Sequence, residues 1–424
     1  MTRRQGPGRF TVGLALQGAG WHPAAWTVLP RGDGARLTEL GYWRDLVQHA
    51  ERAGIDYVTF EDAYQIEGGA PDWEAPRDLA EVSLDATLLA ASLAPLTKRI
   101  GLVPTIGLTH AEPFHAATSI QTLDHVSLGR AGLRAKLSAS AAEAASFGRK
   151  SSLGLDAIFA EGTDAVEVIR RLWDSWEDDA VIRDESTGRF IDADRLHYAD
   201  FEGEHFSVKG PSIVPRSPQG QPPVFALAQA EESFDFAARQ ADVVFITPGR
   251  STVAELVATI RDAELRVGRT GEPLRIVADL EIFLGDEDGS TEEHFRALDE
   301  RVRADSGYRS DTRVVVRSNV ITAELIAKYA DAGLDGVRVR PLTHGDVAEF
   351  VDRVRPMLEA RGIVAPPNPR EKSPSLRKTF GLVPRPANRF AASHAERPGT
   401  AGSAATRAPR SSAQPAPARK AHRA

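Results

Sequence analysis

The amino-acid sequence predicts an α/β fold, a (β/α)8 TIM barrel, and three observations support this prediction. Between residues 10 and 365, short β-branched runs alternate with longer runs that have the 3.6-residue period of amphipathic helices. Eight such strand patterns can be counted, and a helical pattern, HGDVAEFVDRVRPMLEARG, closes the series. A doubly wound open sheet would explain the first half equally well, but the count of eight and the closing helix favour the barrel.

The predicted strands are short apolar runs separated by helical patterns. They comprise residues 10–18, 57–62, 99–108, 130–138, 222–229, 242–247, 274–285 and 336–341. The first helix, LTELGYWRDLVQHAERAG, ends at Gly54, a residue suited to a C-cap. Ser83 is placed to cap the second helix. Each strand is thus followed by a helix or by a longer connection, as a barrel requires.

Two sections fall outside this alternation. Residues 139–221 contain a helix, TDAVEVIRRLWDSWED, and a hairpin around HFSVKGPSIV, and we interpret them as an insertion in one barrel domain of residues 1–370. Residues 371–424 contain 11 Lys and Arg against two Glu, in a chain whose formal net charge is −7. This tail, rich in Pro, Ala and Arg, cannot bury enough apolar surface to offset its ordering entropy, so disorder is predicted. Composition favours a solubilising extension over a nucleic-acid partner.

The composition excludes several kinds of chemistry. The chain has no cysteine, so disulfides and thiolate catalysis are excluded. It has no run of 18 apolar residues and no secretory-signal pattern after its N-terminal arginines, so we expect a cytoplasmic protein without a membrane partner. His110 and His115 are five residues apart and no third ligand is evident, so no metal site is predicted.

Functional residues of a (β/α)8 barrel lie at the carboxyl ends of its strands. No catalytic residue is identified there, but His22 and His110 lie near strand ends and are candidates for protonating or orienting a reactive group. Another interpretation is a glycoside hydrolase that pairs Glu61 or Asp62 with Glu281 across the barrel, although nothing else in the sequence favours it.

Three long segments resemble bacterial-luciferase-like, flavin-dependent monooxygenases. They are RIGLVPTIGLTHAEPFHAATSIQTLDHVSLGRAG (99–132), RRLWDSWEDDA (170–180) and GEHFSVKGPSIVPRSPQGQP (203–222). The last two are similar to the branch that includes nitrilotriacetate and dibenzothiophene-sulfone monooxygenases. The resemblance implies a homodimeric oxygenase that receives reduced FMN from a separate flavin reductase and uses O2 to oxygenate a small organic substrate.

The resemblance also implies where the flavin is held. An acidic residue near the flavin ring corresponds to Asp62, and hydroxyls that could contact the flavin carbonyls correspond to Thr105 and Thr109. On strand four the branch pattern Trp-Asn-Val-Val-Thr-Ser reads LRAKLS here, so that only Ser138 is retained.

Strand four also carries two cations, which the branch pattern lacks. Arg134, Lys136 and Ser138 share one face of the strand because side chains alternate. Two cations inside a barrel require anionic partners, and Glu61, Asp62 or a phosphate are candidates.

The turn after strand five departs from the family in a different way. The family's Ser-x-x-Gly turn binds the FMN phosphate through a hydroxyl and helix N–H groups, whereas this chain has Ala230, Glu231, Glu232 and Ser233. Ala230 and Glu231 remain candidate cofactor contacts, and we hypothesise that the two cations of strand four supply the missing positive charge. A second interpretation is an oxidoreductase of the same superfamily that uses F420. A third is a barrel that has lost flavin binding and catalysis.

Overall fold

The eight predicted strands form a closed parallel barrel. A computed structural model describes residues 9–30, 33–64, 82–148, 154–249, 251–285, 289–302, 308–367 and 374–391. The barrel strands are Thr11–Leu16 (β1), Tyr57–Phe60 (β2), Gly101–Gly107 (β3), Leu133–Lys136 (β4), Val224–Ala228 (β5), Val243–Ile246 (β6), Arg275–Gly285 (β7) and Gly336–Pro341 (β8). Each strand pairs in parallel with the next, and β8 pairs with β1 to close the barrel. The predicted fold class is therefore confirmed.

Helices surround the barrel and bury its outer face. Their bounds are Leu40–Arg52 (α1), Ala86–Leu93 (α2), Pro113–Val126 (α3), Ala141–Phe147 (α4), Leu155–Asp174 (α5), Glu231–Gln240 (α6), Val253–Arg266 (α7), Ser290–Asp299 (α8), Asn319–Asp331 (α9), His344–Glu349 (α10), Arg355–Ala360 (α11) and Leu376–Thr379 (α12). A π-helical turn, Phe350–Val354, joins α10 to α11. Outward strand residues such as Val12 and Leu14 pack with the apolar faces of these helices in one large core.

Strand β7 is long enough to have an additional partner near the barrel mouth. Its first residues pair with β6, and residues 281–285 pair with a further parallel strand, Val314–Ser318, which the sequence patterns did not predict. The chain before this strand approaches the mouth, because the Thr312 hydroxyl donates to the carbonyl of Asp279 (3.0 Å).

The section between β4 and β5 has the predicted character of an insertion. It contains α4, α5 and two small hairpins, one of which pairs Phe201–Glu202 with Ser207–Val208. The other pairs Val181–Asp184 with Arg189–Ile191. The predicted helix is the second half of α5, and the hairpin around residue 207 is confirmed.

The amino-terminal end of the barrel is filled by residues near the C-terminus. Leu376, Phe380 and Leu382 are buried and pack with apolar side chains that point into the barrel. The Phe380 ring lies 5.2 Å from that of Tyr57 and 5.3 Å from that of Phe225. The prediction of disorder from residue 371 is therefore wrong for residues 374–391, because their few apolar side chains pack into the amino-terminal end of the barrel. Residues 392–424 lie outside the described residues.

Buried ion pairs hold this C-terminal segment in place. Arg377 donates to the carbonyl of Gln221 (3.0 Å) and lies 3.5 Å from Asp242. Asp242 also accepts from Arg170 (2.8 Å). Burial opposes the charge on Asp242, but the two arginines outweigh it and lower its pKa to about 2. These contacts join the barrel base, α5 and the C-terminal segment.

Candidate functional site

The interior of the barrel changes from apolar to charged along its axis. Near the amino-terminal ends it contains rings such as Phe225 and Phe245. Towards the carboxyl ends it contains six charged side chains, which we call the charged floor: Glu61, Arg134, Asp279, Glu281, Arg338 and Arg340. They lie on β4, β7 and β8 and directly after β2, at alternate positions that face inward. The floor forms the bottom of the barrel mouth.

Arg338 is the central cation of the charged floor. Its guanidinium donates to both oxygens of Asp279 (2.7 and 2.6 Å) and lies 3.3 Å from an oxygen of Glu61. It also lies 3.8 Å from the centre of the Phe245 ring, a cation–π distance. Arg338 and Asp279 are both fully buried. The side chain is therefore fixed from below by an aromatic ring and from the sides by carboxylates.

The other two arginines are held in a similar way. Arg134 forms an ion pair with Glu61 and donates to the Thr105 hydroxyl (3.0 Å). Arg340 forms an ion pair with Asp279, and its Nη1 lies 3.4 Å from Glu281. The prediction that Arg134 requires an anionic partner is thus confirmed, and that partner is Glu61.

The three cations of the floor face three carboxylates. Burial alone would raise the pKa of each carboxyl group. At Glu61 and Asp279 the facing arginines outweigh burial and hold the pKa below its ordinary value. At Glu281 burial prevails and the pKa is raised. The Nε atoms of Arg134 and Arg340 are buried and have no hydrogen-bond partner among the described residues. The floor is therefore charge-balanced but retains two unused donors.

His22 is buried beside the floor rather than exposed in a loop. Its ring lies 4.8 Å from that of Tyr308, whose hydroxyl donates to Glu281 (2.7 Å). Its Nδ1 accepts from the N–H of Ala24 (3.1 Å), so in the neutral ring Nε2 carries the proton and faces Asp299 at 3.6 Å. Burial lowers the pKa of His22, although Asp299 partly opposes this. These contacts indicate a neutral packing residue.

Asp62 and Lys136 meet at the ends of β2 and β4. The Lys136 ammonium donates to the carbonyl of Asp62 (2.9 Å) and lies 3.5 Å from Glu143. The Asp62 carboxylate accepts from the N–H of Ala86 at the start of α2 (3.2 Å), and burial raises its pKa. These contacts join the ends of β2 and β4 to the start of α2 at the rim of the mouth.

The hydroxyls expected near the flavin mostly join neighbouring strand ends. The Thr109 hydroxyl accepts from the N–H of Ser138 (2.9 Å), and the Ser138 hydroxyl accepts from the N–H of Ser140 (3.2 Å). Thr105 is fully buried beside Arg134. Of these hydroxyls, only that of Thr105 contacts the charged floor.

His110 belongs to an aromatic cluster at the end of β3. Its ring stacks on Phe147 at 4.8 Å, and Tyr64 meets Phe147 edge-on at 5.0 Å. The ring of Tyr64 also lies against Gly107, where an added Cβ would come within 2.5 Å of it. The close approach to Gly107 that the sequence allowed for a flavin is therefore made by a tyrosine of the chain itself.

The turn after β5 is closed by a residue other than the expected one. Ala230 precedes α6, and the Ser233 hydroxyl accepts from the N–H groups of Gln229 and Ala230 (both 2.9 Å) while it donates to the Ala230 carbonyl (2.7 Å). Glu231 and Glu232 are exposed. The Ser233 hydroxyl therefore satisfies the two N–H groups that precede α6.

Arg134, the buried cation of β4, does not face this turn. Arg134 is in register with Phe225, and Ala230 lies five residues further along the chain, which corresponds to about 16 Å of extended strand. Arg134 points instead towards Glu61 at the end of β2. Arg134 is therefore not placed to replace the lost phosphate contact, whereas for Lys136, at the rim of the mouth, the hypothesis stays a prediction.

Sequence reasoning found half of the charged floor. It singled out Glu61, Arg134 and Glu281 but missed Asp279, Arg338 and Arg340. The signal was present, since VRVRP and ADLEIF place charged residues at every second position of apolar strands. Glu61 and Glu281 are both held by arginines, so the site does not present the open carboxylate pair of a glycoside hydrolase.

Two other kinds of feature are absent from the described residues. No helix among them is long and apolar enough to cross a membrane. The same residues contain no group of three or more His, Asp or Glu side chains that could hold a metal ion.

Comparison with known proteins extends over nearly the whole barrel. Residues 8–364 match the family model for luciferase-like monooxygenases. N-acetyl-S-(2-succino)cysteine monooxygenase from Bacillus subtilis (strain 168) is 27% identical over 90% of this chain and 98% of its own. Nitrilotriacetate monooxygenase component A from Aminobacter aminovorans is 31% identical over 70% of this chain and 67% of its own.

Solved structures agree with this assignment. A riboflavin lyase, solved with a modified FMN and riboflavin, has a TM-score of 0.77 and 25% identity, covering 89% of this chain and 97% of its own. An F420-dependent secondary alcohol dehydrogenase has a TM-score of 0.58 and 13% identity, covering 83% of this chain and 99% of its own. At that identity the second likeness shows the fold alone.

Proposed function

Because the chain belongs to the luciferase-like monooxygenase family, we propose that it is the oxygenating component of a two-component, FMN-dependent monooxygenase. The observation that carries this proposal is the family match over residues 8–364, which includes all eight barrel strands. A separate reductase would supply the reduced FMN, and the substrate would be a small organic molecule. We extend the proposal to a homodimer, as the resemblance implies, and to a cytoplasmic location, as the sequence predicts.

The charged floor suits the ring of a flavin. The pyrimidine edge of a flavin presents carbonyl oxygens and a ring nitrogen that accept hydrogen bonds, and the unused Nε atoms of Arg134 and Arg340 are donors. Thr105 adds a hydroxyl beside Arg134. Lys136 and Asp62 would border the ring at the rim. The ring end of the cofactor therefore fits the residues present.

The phosphate end does not fit the turn after β5. Ala230 has no hydroxyl, the Ser233 hydroxyl is already used, and Glu231 and Glu232 bring negative charge to the start of α6. A phosphate at this turn would face two carboxylates. We therefore assign no phosphate contact to Ala230 or Glu231.

Reduced FMN, when bound, supplies the two electrons needed to put one atom of O2 into a substrate and to reduce the other to water. The chain's own residues would bind and orient the ring from below and keep water from its lower face, because the floor is buried. No proton-transfer role is assigned to His22, which packs against Tyr308, or to His110, which stacks on Phe147.

A second candidate is a barrel that binds no flavin. The charge balance of the floor favours it, since each cation already has a carboxylate partner. A third candidate, the F420-dependent oxidoreductase, has support from the fold alone.

Anaerobic titration of the purified protein with reduced FMN, oxidised FMN and F420 separates these functions. The proposal predicts micromolar binding of reduced FMN, followed by O2 consumption when a flavin reductase and NADH are added. Binding of F420 alone would select the third candidate, and binding of none would select the second. Arg134→Gln is expected to weaken flavin binding at least tenfold, while the exposed Arg361→Gln serves as its control.

A further inference from the structure

We propose that this chain recognises flavin by its ring and not by its phosphate, so that riboflavin binds at least as tightly as FMN. The inference rests on the proposed function, because it requires that a flavin is bound. It deepens that function by naming the class of flavin the site accepts, which includes flavins without a terminal phosphate.

The turn after β5 lies at the rim of the mouth, where it can act on a ligand. The Gln229 amide donates to Asp311 (2.6 Å) and lies 3.4 Å from the Thr247 hydroxyl at the end of β6. Asp311 in turn pairs with Arg340 of the charged floor (2.6 Å). A ligand on the floor is therefore close to this turn.

The side-chain hydroxyl nearest the start of α6 already has partners within the chain. Phosphate sites at helix N-termini depend on free N–H groups that point at the ligand. The Ser233 hydroxyl, nine-tenths buried, accepts from two N–H groups that precede the helix, those of Gln229 and Ala230, and donates to the Ala230 carbonyl. To bind a phosphate, this hydroxyl would have to give up these contacts.

The charges around the turn also disfavour a phosphate. Glu231 and Glu232 are exposed in the first turn of α6, and Asp311 accepts from the amide of Gln229, two residues before that helix. Arg266 lies 3.8 Å from Glu231, but it already pairs with Asp235 (2.6 Å). The first turn of α6 therefore presents two carboxylates, and the arginine nearest to Glu231 is shared with Asp235.

The size of the effect follows from Coulomb's law. A phosphate dianion about 6 Å from two carboxylates in water, screened at physiological salt, would bind about tenfold more weakly than a neutral group at the same place. Riboflavin differs from FMN only by lacking this phosphate. It should therefore bind up to about tenfold more tightly, or equally well if the ribityl chain turns the phosphate into solvent.

The experiment compares riboflavin with FMN on the full-length protein. Dissociation constants for both, oxidised and reduced, are measured by fluorescence quenching in 50 and 300 mM NaCl. We expect riboflavin to bind as tightly as FMN or up to tenfold more tightly. Added salt should strengthen FMN binding and leave riboflavin binding unchanged, because salt screens a repulsion.

A pair of matched variants locates the effect. Glu231→Gln with Glu232→Gln should tighten FMN binding several-fold and leave riboflavin binding unchanged. Glu185→Gln with Glu202→Gln removes two exposed carboxylates from the insertion hairpins and should change neither constant. Equal responses in both double variants would overturn the assignment to this turn.

The outcomes separate this inference from the proposed function. FMN binding more than threefold tighter than riboflavin, and weakened by salt, would overturn the inference and leave the proposed function intact. Failure of both flavins to bind, oxidised or reduced, would overturn both.

Discussion

The charged floor leads to a quantitative prediction about stability. Arg338 and Asp279 are both fully buried and share two hydrogen bonds. Breaking a buried ion pair by removing one partner costs about 3–5 kcal/mol, because it leaves an uncompensated charge. For Arg338→Met the loss of unfolding free energy should lie near the lower value, since Asp279 keeps Arg340 as a partner. For Asp279→Leu the loss should lie near the upper value, since both Arg338 and Arg340 lose a carboxylate partner.

The double variant tests whether these two side chains act as a unit. Arg338→Met with Asp279→Leu should cost about 2 kcal/mol less than the two single effects together, because neither charge remains to be satisfied by the other. The assay is urea unfolding followed by the fluorescence of the six tryptophans. The control cycle uses Arg361→Met and Glu324→Gln, an exposed pair 3.8 Å apart, for which no more than about 1 kcal/mol of coupling is expected. Single effects below about 1 kcal/mol, or additive effects, would show that Arg338 and Asp279 do not stabilise the barrel as a pair.

Three further variants test other parts of the molecule. Phe380→Ala should lower the free energy of unfolding by about 3–5 kcal/mol, because its ring fills the barrel base. Val383 is half-exposed, so Val383→Ala should change this free energy by less than about 0.5 kcal/mol. Equal effects of the two substitutions would contradict the packing. Asp242→Asn should lower the free energy of unfolding by about 2 kcal/mol at neutral pH. Because the pKa of Asp242 is about 2 in the folded protein, below its unfolded value, this stability is present above pH 4 and is lost between about pH 4 and 2. A variant with an unchanged acid-unfolding profile would contradict the pairing. Ser233→Ala should cost about 1–2 kcal/mol by urea unfolding and leave the FMN dissociation constant unchanged, and a large loss of FMN affinity would identify its hydroxyl as a phosphate ligand.

The barrel could be predicted because its strands are continuous apolar runs between helical patterns. Such runs are typical of parallel strands that are covered on both faces. The additional strand Val314–Ser318 was missed although it is a β-branched run as long as β5, because the eight barrel strands already accounted for the alternation. The packing of residues 374–391 was missed because Leu376, Phe380 and Leu382 are separated by charged residues and depend on a cavity that only the closed barrel creates.

The site was harder to predict than the fold because its contacts join distant strands. The pairing of Arg134 with Glu61 spans 73 residues, and that of Arg338 with Asp279 spans 59. Alternation indicates which strand residues face inward but not which charges meet. Departures from the family turn at Ala230 could be read directly from the sequence, whereas the use of Ser233 as its closing hydroxyl required coordinates.

The position of the flavin ring can be measured directly in a crystal structure of the protein with bound flavin. We expect the ring to lie on the charged floor, with carbonyl oxygens within hydrogen-bond distance of Arg134 or Arg340. A ring bound elsewhere, or a mouth closed by the protein's own side chains in crystals grown with saturating flavin, would contradict it.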